Sequence, residues 1–392
     1  MTRHQPDMNN LQIDTKEFQE RIQRVQDLLA QDERDAVLVF STESEPAGVR
    51  YFSDYWPSFE TAAVLIARSG PAALLVGPES GTYAGSRSRL KNIIRMMDFR
   101  ESSQPNYPGS KLADWKDVLG QFAVGRLGIS GWHMFPHAIM ENIHKALGPQ
   151  NVTDADALVR QVTLLKSPAE QQCLREASRL SELGFKAVLE KIRPGMTEIQ
   201  LVGIATQAML DAGAEATGYP VWCCSGPNST QAISRPTHRK VQTGEIIHFS
   251  IGAKVAGYSA SVGRPVVLGS CPQAMKRFLT VGLEAENLTI GLMRAGTPAA
   301  DVAKKVHGFI TEQGYGHAIL YGPAHGCGQM ECEYPFVETS SSYLLKENMT
   351  FMVDIFLAEK EMGFRWEDGV IIRKGEPEVL SSYRRQLNIL EV

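Results

Sequence analysis

The chain has 392 residues, 43% apolar and 21% charged, a composition that allows a large buried core and suggests two or three domains. Lys and Arg number 40 against 44 Asp and Glu, so the formal net charge of −4 gives no general pull toward nucleic acid or an acidic membrane. No run of about 18 apolar residues exists, which excludes a spanning helix. The start of the chain, MTRHQPDMNNLQ, is polar and shows no signal-peptide core, and residues 1–14 read as a frayed tail. From Thr15 to Leu29 the apolar residues Phe18, Ile22, Val25, Leu28 and Leu29 recur at helical spacing. Short apolar runs then predict buried strands at 36–40, 62–66 and 72–76, the last two joined by the turn Arg68-Ser69-Gly70-Pro71. A further strand is expected at 126–129, and helices alternate with strands to about residue 155, an α/β pattern.

Near residue 167 the texture changes. Ser167-Pro168-Ala169-Glu170 combines an N-cap, a Pro at the first helical position and a capping-box Glu. A long helix follows and ends at Pro194-Gly195; Thr197 and Gln200 open a second, running to about Asp211. Helices are expected at about 273–294 and from Thr297-Pro298 to before Gly314, with strands at 246–253, 259–268, 350–357 and 369–372. This order suggests a pseudo-repeat of α+β halves. The six Cys, at 173, 223, 224, 271, 327 and 332, form neither a CxxC pair nor a disulfide framework, which fits a reducing, cytoplasmic setting.

Eight collinear segments carry a resemblance: LLKSPAEQQCLREA (164–177), RPGMTE (193–198), SGPNST (225–230), RPTHRKVQTGE (235–245), IGAKVAGYSASVGR (251–264), AHGCG (324–328), ENMTFMVD (347–354) and FRWEDGV (364–370). In these the chain resembles the pita-bread family of creatinase, prolidase, aminopeptidase P and methionine aminopeptidase. The resemblance implies an α+β fold. A pita-bread domain at 165–392 follows a smaller α/β creatinase-like N-terminal domain at 15–155. It also implies a homodimer in which the N-terminal domain reaches toward the partner's site. Trp56, with Tyr51 and Phe59, falls in the segment that lends aromatic groups there, or forms the dimer interface.

The metallopeptidases of this family hold two divalent metals with Asp, Asp, His, Glu and Glu. The matching positions here are Ser250, Ser261, His325, Asp354 and Glu367. Two anionic ligands have become neutral hydroxyls, so a dinuclear centre is not expected. His325, Asp354 and Glu367 remain, either to bind one divalent metal in a facial arrangement or to act as an acid/base cluster with no cofactor. The metal-free reading leads. In the family, creatinase works without metal, but its key His falls on Ile233 here and its substrate-binding Glu on Gly263, so creatine is not the expected substrate. The peptidases' second His falls on Cys332, which contacts substrate, attacks it, or fills space.

Arg365 shares a strand face with Glu367 and either binds a substrate carboxylate or neutralises that Glu. Ser250, Ser261, Ile233 and Trp56 complete the candidate substrate-binding set. His248 lies at the pocket rim or on the surface, and Arg264 is structural. The leading expectation is a hydrolase of a C–N bond in a small nitrogen-containing molecule, metal-independent or at most mononuclear, with His325, Asp354 and Glu367 catalytic. The alternatives are an Xaa-Pro dipeptidase or aminopeptidase-like metallopeptidase, a catalytically silent binding scaffold, and a lyase on a small solute. Besides a small-molecule substrate and a second copy of the chain, no nucleic-acid or membrane partner is expected.

Overall fold

The computed structural model describes residues 11–391, which divide into two compact units at 13–164 and from 165 onward. The expected tail lies outside the described residues over 1–10. Ile13, by contrast, is buried, and the Asp14 carboxylate accepts the Lys16 amide N–H at 2.7 Å to cap the first helix.

The N-terminal unit runs α1 (Thr15–Leu29), β1 (Ala36–Ser41), α2 (Ala47–Ser53), β2 (Ala62–Ala67), β3 (Ala73–Val76), α3 (Gly81–Arg87), β4 (Asn92–Arg95), α4 (Trp115–Gln121), β5 (Leu127–Ser130), α5 (His137–Leu147), β6 (Val152–Asp154) and α6 (Asp156–Thr163). Its six strands lie in the order β4-β3-β2-β1-β5-β6, with β2 antiparallel to β1 and β3 and the other pairs parallel. The central strands are apolar throughout because both faces are covered. Val37, Val39, Val64 and Ile66 enter one core, and Leu38, Phe40 and Leu65 the other. Helix α6, beyond the boundary expected at 155, belongs to this unit.

The second unit begins with α7 (Pro168–Lys191) and α8 (Glu198–Asp211), each opened by its capping box, Ser167 with Glu170 and Thr197 with Gln200. Then follow β7 (Ala216–Thr217), β8 (Trp222–Ser225), β9 (Ile246–Val255), β10 (Tyr258–Leu268), α9 (Gln273–Leu292), α10 (Ala299–Glu312), β11 (Ala324–Gly326), β12 (Glu333–Val337), β13 (Thr350–Glu359), β14 (Met362–Ile371), β15 (Glu378–Val379) and β16 (Asn388–Leu390). The main sheet runs β12-β11-β13-β14-β10-β9-β7. Helix α7 packs on the β9–β10 hairpin and α9 on the β13–β14 hairpin, so two helix-pair-and-hairpin halves meet where β10 pairs with β14. Ala256 and Gly257, both at positive φ, make the tight turn of the first hairpin.

Strand β14 starts at Met362 rather than 369. The stretch before 369 contains Arg365, Glu367 and Asp368, all buried, and these charges hide that part of the strand in the sequence. The register sets a row across four strands: Ser250 faces Gly263, Gly263 faces Glu367, and Glu367 faces Asp354. Fully buried Arg264 fixes the middle of the row. Its Nη1 donates to the carbonyls of Gly263 and Glu367 at 2.7 and 2.8 Å, and its Nη2 to Asp368 Oδ1 at 2.8 Å. No helix among the described residues is long and apolar enough to cross a membrane.

Replacing Arg264 with Met strips a buried carboxylate and two carbonyls of their donor, so it should cost about 3–5 kcal/mol in denaturant unfolding. A loss below about 1 kcal/mol would show that the pair does not hold β10 to β14.

Candidate metal centre and active site

Ser250 and Ser261 stand where the resemblance puts carboxylates, and both donate hydrogen bonds to carboxylates from elsewhere. The Ser250 hydroxyl donates to Glu367 Oε2 at 2.7 Å and also meets the Tyr219 hydroxyl in a short hydrogen bond. The Ser261 hydroxyl donates to Glu331 Oε1 at 3.0 Å. At Gly263 a Cβ would stand 2.5 Å from the Cβ of Glu367. A creatinase-type Glu at that position is therefore incompatible with Glu367 where it lies.

Asp354 does not join His325 and Glu367. Its Oδ1 lies 3.0 Å from Arg365 Nε and its Oδ2 accepts the Tyr321 hydroxyl at 2.7 Å. Arg365 is itself fixed. Its Nη2 donates to the Ala232 carbonyl at 3.1 Å and to the Tyr321 hydroxyl at 2.8 Å, and its guanidinium lies 4.7 Å from the Trp222 ring centroid. Arg365 thus pairs with Asp354 rather than with Glu367. Of the expected set His325, Asp354 and Glu367, the first and last lie together with Glu331, and the ligand atoms of these three all lie within 4.8 Å of one another. His325 Nδ1 lies 3.0 Å from its neighbour Gly326's carbonyl, and Nε2 lies 4.0 Å from Glu367 Oε1. In the neutral ring this assigns the proton to Nδ1 and leaves the Nε2 lone pair facing the carboxylates.

The electrostatics follow from burial. Desolvation, and then the charge of the neighbouring Glu331 carboxylate, push Glu367 up to about 8 against the opposing pull of Arg365 and His325. Glu331 is also raised, chiefly by burial. Burial raises Asp354 too, and the Arg365 guanidinium works against it. Burial alone would lower His325; its hydrogen bond to Cys332 and the nearby anionic groups overcome that and take it to about 9. Two facing carboxyls beside one imidazole form a site that retains protons until another cation replaces them.

The other candidates scatter. Cys332 is exposed, and its thiol lies close enough to His325 to raise the imidazole's proton affinity. Ile233 is 84% exposed on the irregular segment before β9, so it does not line the cluster. Trp56 lies in the N-terminal unit, where its indole N–H donates to the Glu43 carbonyl at 3.1 Å and Arg50 stacks on its ring. His248 is fully buried beside Phe356, away from both rim and surface. The sequence reading passed over Glu331, Tyr219, Trp222 and Tyr321. Only Glu331 left a trace, as an acid six positions after His325. Its neighbour Glu333 gives the same trace but forms an ion pair with Lys166 at 2.5 Å.

A pita-bread sheet with a His and two carboxylates gathered on its strands and adjoining loop defines the class: a hydrolase of C–N bonds. The chain belongs to metallopeptidase family M24, whose profile matches residues 172–374, and residues 21–162 match the creatinase/prolidase N-terminal domain. It is 23% identical over 370 residues to an Xaa-Pro dipeptidase of Pyrococcus horikoshii, covering 94% of this chain and 98% of that one. In structure it is similar to an X-Pro aminopeptidase of Thermotoga maritima, with a TM-score of 0.82 at 23% identity, covering 94% and 99% of the two chains. A Bacillus anthracis Xaa-Pro dipeptidase gives 0.81 at 21% identity, covering 95% and 100%. These findings overturn the expectation of a metal-independent hydrolase of a small nitrogen compound. The family is one of metallopeptidases, and the Pyrococcus relative, matched over nearly its whole length, is an Xaa-Pro dipeptidase. The expectation that no cofactor is needed falls with it.

The residues present do not fit two adjacent dications, since positions 250 and 261 offer only neutral hydroxyls and a guanidinium holds Asp354. They fit one, because one imidazole nitrogen and two carboxylates converge with no Lys or Arg ion-paired to Glu331 or Glu367 among the described residues.

His248 makes a pH prediction. Burial, aided by the Arg365 charge, lowers it from 6.5 to about 3, and neither ring nitrogen has a well-formed hydrogen bond even though the Ser229 backbone is near. The unfolded state binds more protons between these values, so this contribution to stability is complete above about pH 6.5 and is lost as pH falls toward 3. The variant His248→Leu should lose less unfolding free energy than the wild type between pH 7.5 and pH 5, with a difference in slope of up to about 1.4 kcal/mol per pH unit, read by denaturant unfolding at each pH. Equal losses would rule this out.

Proposed function

We propose that the protein is a peptidase that cleaves short peptides at an Xaa-Pro bond with one divalent metal. His325 and Glu367 hold the metal together with a further carboxylate. The observation that carries this is the convergence of His325, Glu331 and Glu367. The full-length match to an Xaa-Pro dipeptidase supports the substrate class. A bound divalent metal supplies a Lewis acid for the scissile carbonyl and lowers the pKa of water.

The chain's own groups do the positioning. Ser250 and Ser261 hold the two carboxylates through their hydroxyls. Asp354, Tyr321 and Trp222 keep the Arg365 guanidinium in one orientation, ready to donate to a peptide carbonyl or terminal carboxylate. Cys332, at the exposed edge beside His325, contacts the substrate. The same reading includes a homodimer, supported by Phe59, 81% exposed close to Trp56, and a cytoplasmic setting, supported by six free thiols.

Protein loaded with Mn2+ or Co2+ should release proline from Ala-Pro. A chelator should abolish the release, and fresh metal should restore it. No release from Ala-Pro or from an Xaa-Pro tripeptide after loading with Mn2+, Co2+ or Zn2+ would refute the proposal.

A further inference from the structure

We infer that Glu331 is a metal ligand of this protein: a carboxylate delivered by the loop between β11 and β12 in place of the one missing from β10. The inference rests on the single-metal reading above and specifies which chain atoms form that centre.

Four observations converge on it. First, the Ser261 hydroxyl hydrogen-bonds to Glu331 Oε1, so the loop's carboxylate sits directly against the β10 position that lacks one. A serine side chain is too short and too weak a donor to replace an aspartate ligand, but it suits the task of orienting a neighbouring carboxylate, as outer-shell groups do.

Second, Asp354 is engaged elsewhere, with Oδ1 against Arg365 and Oδ2 taking the Tyr321 hydroxyl. Turning it toward His325 would leave a buried guanidinium without its anion.

Third, the loop is tied down on both sides of Glu331. The Ser259 amide donates to the Gly328 carbonyl at 2.7 Å, buried Lys254 donates to the Gln329 carbonyl at 2.8 Å, and Lys166 pairs with Glu333 at 2.5 Å. Glu331 lies between these anchors and is directed at the sheet, whereas Glu333 is held by Lys166.

Fourth, Glu331 and Glu367 face each other, and among the described residues the only ion-pair partner of either is His325, at 4.0 Å from Glu367. A like-charged pair in a buried site calls for a proton or a cation. Here the Nε2 atom of His325 faces the same space. One imidazole and two carboxylates suit Mn2+, Co2+ or Zn2+.

The test is titration of the full chain with Co2+ and Mn2+, read by calorimetry and, for Co2+, by visible absorption. Wild type should take up one ion per chain. Glu331→Gln should weaken binding by about 100-fold or more, beyond the effect of losing an outer-shell partner, and alter the Co2+ spectrum. Asp354→Asn should bind close to wild type. Wild-type affinity in Glu331→Gln overturns the assignment, and so does loss of binding in Asp354→Asn with Glu331→Gln unaffected; in both cases the single-metal reading still stands. A wild type that binds neither ion refutes that reading itself. Circular dichroism reports folding. If Glu331→Gln does not fold, Ser261→Ala, which keeps every carboxylate, serves instead: about tenfold weaker binding is expected, and unchanged affinity overturns the assignment.

Discussion

Charge buried in a sheet is the constraint around which the second unit is organised. Strands β10, β13 and β14 carry Arg264, Asp354, Arg365, Glu367 and Asp368 into a region closed to solvent. Each ionic group there must find a partner or change its protonation state. Arg264 satisfies Asp368 and two main-chain carbonyls, which locks β10 to β14. Arg365 satisfies Asp354 and is braced by Trp222 and Tyr321. After these pairings Glu367 and Glu331 remain, facing each other beside His325. The proposed metal site is thus the part that these pairings leave uncompensated.

This arrangement shows how a family scaffold keeps its geometry while its donors change. The row Ser250, Gly263, Glu367 and Asp354 is a consequence of strand register and does not depend on which side chains occupy it. Exchanging carboxylate for hydroxyl at 250 and 261 turns two positions from anions into hydrogen-bond donors. An extra carboxylate then becomes acceptable nearby, because its charge no longer adds to two others. Glycine at 263 completes the change, since any side chain there would displace Glu367.

Much of the fold was legible because local signals agreed with the tertiary outcome. The capping boxes at Ser167 and Thr197 fixed the starts of α7 and α8, and the apolar runs of the N-terminal unit marked strands covered on both faces. The stretch of β14 before 369 was missed because its buried charges interrupt the apolar pattern. Short β8, β11 and β12 were missed because three to five residues hold too little periodicity to be read. The motifs are collinear at 250, 261, 325, 354 and 367, and of these His325 and Glu367 lie in the cluster while Ser250 hydrogen-bonds to it. The candidate site was not legible where the chain returns from outside those motifs. The five motif positions lack two carboxylates, which by itself points to a metal-free enzyme. Glu331 lies outside them, and no spacing rule distinguishes an acid that turns inward from Glu333, which meets Lys166.

The two-domain order, the family and the location of the core strands could be read from the chain alone. Those follow from periodicity, capping chemistry and motif order, which are local or collinear properties of the chain. Only the tertiary structure decided which acids meet. Asp354 turns to Arg365, Glu331 turns to His325 and Glu367, and Ile233 turns to solvent. Those choices depend on distances between side chains far apart in sequence and on the cost of burying each charge unpaired, and neither is written in any short stretch of residues.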